Sequence, residues 1–217
     1  MLQKLSNLLF PPKCVLCRRL LTKQETDLCH NCRTETADFS KARRKIPFVA
    51  DWIAVWYYSG KVRKSLIRYK FSNARSYADI YGRFLSMRLL KEYPDGIDIL
   101  TWVPISARRR RKRGYDQVEL LAYAVGKEWD QSPVRLLEKI RDTKPQSTIS
   151  DAAKRRANVL GAYRVTDPAA VSGKRILLLD DVITTGATIS ECARVLLTAG
   201  AKEVHCAAVA AAPQDKK

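Results

Sequence analysis

Two groups of residues in this chain have the types and the spacing to do chemistry. The first is four cysteines, Cys14, Cys17, Cys29 and Cys32, in the pattern C-x2-C-x11-C-x2-C. Each C-x-x-C lets two thiolates converge from one tight turn, and two such turns supply the tetrahedral sulfur shell that Zn2+ prefers. The second is "RILLLDDVITTGATISECARVLLTAG", 175 to 200, where an apolar run meets two adjacent carboxylates, Asp180 and Asp181, and then a small, hydroxyl-rich loop. An acidic pair so placed can hold a metal ion, clamp a sugar, or simply end a strand in polar residues.

Residues 10 to 35 are polar and short of apolar periodicity. A bound metal would stand in for the missing core there, its binding energy becoming folding energy. Four thiolates fill the shell, which leaves His30 outside it and no open position for catalysis. Four reduced thiols, or a redox C-x-x-C, are the competing readings, and the two matched pairs favour structural zinc. Cys192 and Cys206 fall on the apolar pattern of a helix and a strand and read as small core residues; His205, beside Cys206, gets the same structural reading.

The loop "TTGAT", Thr184, Thr185, Gly186, Ala187 and Thr188, offers small side chains, one glycine for close backbone approach, and three hydroxyls. It opens into a helix, whose unpaired N–H groups and dipole favour an anion. A phosphate held there places a sugar, one or two bonds away, beside Asp180 and Asp181, and two carboxylates can accept hydrogen bonds from a vicinal diol. That is the physics of a ribose 5-phosphate cradle. Neither G-x-x-x-x-G-K-[ST] nor G-x-G-x-x-G occurs, so a P-loop and a dinucleotide fold are both disfavoured. A plain strand–turn–helix joint with threonine caps is the alternative, and it leaves the two acids unexplained.

These groups need elements to hold them. Strands are expected over 52–58, 95–104, 175–180 and 203–210, with a short one in "VRLLEKI". Helices are expected in "KVRKSLIRYKF", "RSYADIYGRFLSMRLLKEY" (apolar at Ile80, Phe84, Met87, Leu85 and Leu89), "YDQVELLAYAVGKEW", "DAAKRRANVL" and 187–199. Strands alternating with helices argue for an α/β domain around a central, mostly parallel sheet, with its ligand beyond the carboxyl ends of the strands. "DFSKARRKIPF", 38 to 48, reads as a basic linker, which divides the chain into 1–48 and 49–217. No apolar run is long enough to span a membrane. The first ten residues do not read as a signal peptide, so a cytoplasmic location is expected.

Forty Lys and Arg against 22 Asp and Glu leave a net charge of +18, which points to a polyanionic partner. Six basic residues are consecutive: Arg108, Arg109, Arg110, Arg111, Lys112 and Arg113. They can clamp a diphosphate, track a nucleic-acid backbone with Tyr115 near enough to stack on a base, or form a solvated loop. Six cations cannot all face one small ligand, so part of the run is free for something larger.

The stretch "ILLLDDVITTGATISECARVLLTAGA" resembles the phosphoribosyl-diphosphate (PRPP) signature of type I phosphoribosyltransferases. Together with the double C-x-x-C, "VPISARRRRKRGYDQVELLA" and "TKPQSTISDAAKRRANVLGAY", it makes nearly the whole chain similar to the ComF/GntX group of competence-type proteins. The resemblance implies a type I phosphoribosyltransferase fold plus a small N-terminal zinc-ribbon-like module. It implies that Asp180 and Asp181 hold the ribose hydroxyls, directly or through Mg2+, that 184–188 hold the 5-phosphate, and that 103–106 form the diphosphate loop. Where most members show R-G-F-N-Q, this chain has Arg113-Gly114-Tyr115-Asp116-Gln117, which adds a charge. Thr184 replaces the aspartate that contacts the base in purine salvage, so that activity is disfavoured. Lys144, Arg155 and Arg156 could stabilise a departing diphosphate or form a solvated helix face.

Two functions follow from the resemblance and the residues together. One is a ComF-type competence protein that binds single-stranded DNA during uptake, alongside a helicase-like partner, with a cradle for PRPP. The other is an active phosphoribosyltransferase joining PRPP to a nitrogen nucleophile. Metal analysis of the purified protein is expected to return about one zinc per chain, and a value well below that overturns the four-cysteine zinc assignment.

Overall fold

Ile176, Leu177, Leu178 and Leu179 are all fully buried. Consecutive buried residues on a strand mean that both faces of its sheet are covered, as parallel sheets require. The computed structural model describes residues 11–39, 44–93, 96–143 and 151–213, apart from the Ala152 side chain. Its strands are β1 Asp51–Tyr57, β2 Ile99–Trp102, β3 Leu137–Lys139, β4 Tyr163–Val165, β5 Arg175–Ile183 and β6 Glu203–Ala211. Its helices are α1 His30–Glu35, α2 Gly60–Phe71, α3 Tyr77–Glu92, α4 Ala107–Arg113, α5 Gln117–Glu128, α6 Ala152–Val159, α7 Pro168–Val171 and α8 Ala187–Thr198.

Four strands form one sheet in the order β1-β6-β5-β2, every pair parallel. The central mostly parallel sheet is therefore as the sequence predicts. On one face Leu66 and Tyr69 of α2, Tyr81, Leu85 and Leu89 of α3, and Leu121 and Val125 of α5 pack on Ile53, Val55, Leu177 and Leu179. On the other, Ile189, Cys192 and Leu196 of α8 join Leu137 and Tyr163 against Ile176, Leu178, Val204 and Cys206. Each large aliphatic side chain so buried contributes about 1.5–3 kcal/mol. β3 and β4 form a separate antiparallel pair, Leu137 opposite Val165 and Lys139 opposite Tyr163.

Several expectations are corrected. β5 does not end at Asp180: β6 continues beside it, with Val182 opposite Ala210 and Ile183 opposite Ala211, so both acids lie inside the strand. The basic run is not a loop. Ser106 caps it by accepting a hydrogen bond from the Arg109 N–H, and Gly114 closes it at φ 81°, which makes it the helix α4. On α3 the buried stripe runs through Ala78, Tyr81, Leu85 and Leu89, while Met87 points outward. β4 is an addition to the expected strands, because three residues are too few to show a period.

The cysteine-rich segment does not do without a core; it shares one. Val15, Leu16 and Leu28 join Val62, Leu66 and Tyr81 in the cluster on the α2/α3 face. Its backbone is held as well: the Val15 carbonyl accepts from the Ser65 hydroxyl and from Arg68, the Leu16 carbonyl accepts from Arg68 at 2.7 Å, and Arg83 pairs with Asp27. At the described ends of the 38–48 segment, Phe39 packs against the rings of Trp52 and Tyr57, and Ile46 is buried. Among the described residues no helix is long and apolar enough to cross a membrane.

α3 and α5 approach each other through a glycine. A Cβ on Gly82 would lie 2.6 Å from the Ala124 Cβ and 3.0 Å from its carbonyl carbon. Alanine in place of a helical glycine normally gains about 1 kcal/mol. Here overpacking against a neighbour's backbone costs about 1–3 kcal/mol. Gly82→Ala is therefore expected to lower the melting temperature, and a rise would contradict this account of the helix contact.

Candidate functional site

β2 stops at Trp102, opposite Leu179, whereas β6 carries β5 on to Ile183. From Asp180 onward β5 therefore has one edge open toward the loop that follows β2. Side chains alternate along a strand, so the two acids do not point the same way. Asp181 faces α2 and α5. It is 4% exposed, with Oδ1 at 2.8 Å from the Lys70 Nζ and Oδ2 accepting from the Gln117 amide at 2.7 Å. Burial alone would lower the Lys70 ammonium, but the Asp181 carboxylate outweighs it and holds Lys70 above its ordinary range.

Asp180 faces the other way and is half-buried, with Cys192, Lys139 and Tyr163 in its electrostatic surroundings. Its Oδ1 accepts from the Asp181 N–H at 2.7 Å. Burial, and then the Asp181 charge, push the Asp180 carboxyl up to about 8, against the pull of Lys70. The acids thus divide the work: one is buried and already neutralised, the other is held close to neutrality by its surroundings.

The turn after β5 has the form of an anion cradle. Thr184, Thr185 and Thr188 are partly exposed, and the Ala187 N–H reaches the Thr185 hydroxyl at 3.4 Å. Gly186, at φ 78°, starts α8 without any side-chain cap. At that positive φ any other residue would be strained, and its Cβ would sit 2.9 Å from the Ile46 Cδ1, which would have to shift.

The structure divides the basic run. Arg108 lies 3.5 Å from Asp142, Arg109 donates to the Thr143 carbonyl at 2.6 Å, and Arg110 pairs with Glu119 at 2.8 Å. The Ser106 hydroxyl donates to Asp142 at 2.7 Å, which fastens the start of α4 to the segment that follows β3. Arg113 donates to the Gln117 side chain and lies over the Phe71 ring, 5.0 Å from its centre. Arg111 and Lys112 are exposed and make no ion pair among the described residues.

Tyr115 is corrected: it is 6% exposed, its hydroxyl donates to the Tyr69 carbonyl, and Arg75 covers its ring at 4.9 Å, so it cannot stack on a base. Asp116 is a structural cap, accepting from the N–H groups of Ile105, Val118 and Glu119. Burial raises its pKa against those three bonds. Lys144 lies outside the described residues. Arg155 and Arg156 sit on α6, which packs on α8, Arg155 half-buried and Arg156 exposed.

Sequence reasoning missed Lys70, Phe71 and Lys139. Burial, then the nearby Arg109, push the Lys139 amine down to about 8, and it lies 3.1 Å from the Tyr163 hydroxyl. None of the three carries a spacing signal in a chain with 40 Lys and Arg.

The four cysteine sulfurs lie within 4.8 Å of one another, with Cys17 and Cys29 at 3.6 Å. A tetrahedron with bonds of about 2.3 Å has edges of about 3.8 Å, so the set fits one zinc ion. His30 lies outside this set.

Residues 121–217 match the family "Phosphoribosyl transferase domain", and residues 5–43 match "Double zinc ribbon domain". "DNA utilization protein YhgH" of Salmonella typhimurium is 30% identical over 207 residues, 88% of this chain and 87% of that protein. The protein of the same name in Escherichia coli K12 is 29% identical with the same coverage. "Competence protein ComFC" of Streptococcus pneumoniae is 34% identical over 154 residues, 70% of this chain and 64% of that protein. Fold and matches together define a phosphoribosyltransferase-fold protein with an N-terminal zinc ribbon. The chain belongs to the ComF/GntX family, which includes these relatives.

The Asp180 carboxyl has a testable consequence. Folded Asp180 keeps its proton up to about pH 8, whereas an unfolded carboxyl loses it near pH 4. Between those values the folded state binds more protons, so this group makes stability fall as pH rises. Asp180→Asn removes the titration. The melting temperature of the variant minus that of the parent is expected to grow from pH 5 to pH 8, and a constant difference would refute it.

Proposed function

We propose that the chain is a competence-type protein that binds single-stranded DNA during uptake, working in the cytoplasm beside a helicase-like partner. The phosphoribosyltransferase-type cradle at Asp180, Asp181 and 184–188 would take PRPP or a related phosphorylated ligand. The observation that carries the reading is the two exposed cations of α4, Arg111 and Lys112, which make no ion pair among the described residues and lie next to cations already committed to the fold. A helix whose other charges are fixed offers these two to a passing phosphate backbone. The net charge of +18 and the "DNA utilization" and "Competence" names of the relatives support it.

A second reading, an active transferase, is favoured by the uncapped α8 terminus beside the two acids. A nitrogen nucleophile would form a bond to C1 of the ribose as the bond to diphosphate breaks, and it would lose its proton. Lys144, Arg155 and Arg156 are the candidates to meet the departing diphosphate. Asp180, the acid without a paired lysine, would give up its proton to hold a Mg2+ ion, which when bound would neutralise diphosphate charge. Thr184 cannot act as an acid or base toward a purine, so purine salvage is not proposed. Calorimetry with PRPP and Mg2+ tests the cradle that both readings contain: no heat, and no change with Asp181→Asn, removes the transferase and the PRPP cradle alike.

Fluorescence anisotropy with a labelled oligonucleotide at several salt concentrations tests the main reading. Affinity is expected to fall with salt. The double variant Arg111→Ala/Lys112→Ala is expected to flatten the log–log slope by about 1.4, two lost phosphate contacts at about 0.7 each. Absence of binding, or an unchanged slope, would sink the proposal.

A further inference from the structure

Phe71 is the most exposed large apolar side chain among the described residues, at 71%. It is the last residue of α2 and follows Lys70, whose ammonium holds Asp181. A second path of contacts leads to the same ring: the Gln117 amide holds Asp181, Arg113 donates to Gln117, and the Arg113 guanidinium lies over Phe71. The ring is thus linked to buried Asp181 through Arg113 and Gln117, and its own residue follows the lysine that pairs with that acid. A guanidinium against an aromatic face orients the ring, and at this exposure the rest of the ring stays in water.

The surroundings are cationic. Arg75, in the turn between α2 and α3, is exposed and lies over the Tyr115 ring, and Arg111 and Lys112 continue along α4. A nearby carboxylate would repel a phosphate backbone. Asp181 is the acid joined to this cluster, and Lys70 already neutralises it.

We infer that Phe71, backed by Arg113, is a stacking platform for one unpaired base of single-stranded DNA, with Arg75, Arg111 and Lys112 along the path of the phosphates. This rests on the DNA-binding reading above and adds to it the residue that touches a base. Every base has a π-face, so an aromatic platform grips a strand without reading its sequence. Stacking is also not electrostatic, so it leaves a different mark on salt dependence from that of the α4 cations.

The test is anisotropy on the full-length protein with a labelled oligothymidylate and with an abasic oligonucleotide of equal length. Phe71→Ala is expected to weaken oligothymidylate binding about 5- to 150-fold at every salt concentration, leaving the salt slope unchanged. On the abasic strand the variant and the parent are expected to bind alike. Phe71→Trp is expected to restore binding and to report it through quenching of the new indole, which guards against a loss caused by misfolding. Equal binding by Phe71→Ala and parent, an equal loss on the abasic strand, or a changed salt slope overturns the platform while leaving the DNA-binding reading intact. Failure of the parent to bind either oligonucleotide overturns both. Quenching of Phe71→Trp by thymidine monophosphate as strong as that by the oligonucleotide overturns the single-strand assignment in favour of a small nucleotide.

Discussion

A carboxylate placed inside a parallel sheet must find a partner, and much of the candidate site follows from how Asp181 does so. At 4% exposure it has lost its water, and an unpaired charge there would cost several kcal/mol. Lys70 and Gln117 supply the pairing, and they come from α2 and α5. Three elements far apart in sequence are thereby tied at one point. The tie also orders the surroundings: Gln117 receives Arg113, Arg113 covers Phe71, and the first turn of α5 is fixed by the Asp116 cap. What reads in sequence as a symmetric acidic pair is in the fold one buried acid paired with Lys70 and Gln117 and one half-buried neighbour on the opposite face.

The zinc ribbon solves a similar problem of scale. A segment this short cannot enclose a core of its own. Here it contributes Val15, Leu16 and Leu28 to the core under α2 and α3, and the cysteines close the outer side. Arg68 and Ser65 then satisfy backbone carbonyls in the turn between Cys14 and Cys17. Metal and shared core act together, so the segment is joined to the α2 and α3 face by packing as well as by the chain.

The parts of the fold legible in sequence are those with a local signal. The buried run before Asp180, the glycine-bearing turn and the amphipathic α8 each announce themselves within about ten residues, and C-x-x-C spacing is local by nature. Lys70, Phe71 and Lys139 matter because of what lies across space from them, and a lysine among 40 cations looks like any other. The basic run misleads for a related reason. Six charges in a row suggest a solvated loop, but Ser106 and Gly114 are cap residues at both ends, and those two signals outweigh the repulsion between like charges. Tyr115 is hard to place from sequence because burial of a side chain next to charged residues depends on a partner, Tyr69, that sequence distance hides.

Ile46 lies before the first strand of the sheet, yet it roofs Gly186, the residue that precedes α8. One wall of the turn after β5 is therefore built from the stretch of chain that leads into the sheet. Any fragment begun at residue 49, where the composition changes, would leave that glycine facing solvent and the turn missing one side. The boundary that composition draws and the boundary that the cradle needs are different places, and the smallest unit able to hold the intact turn starts upstream of Ile46.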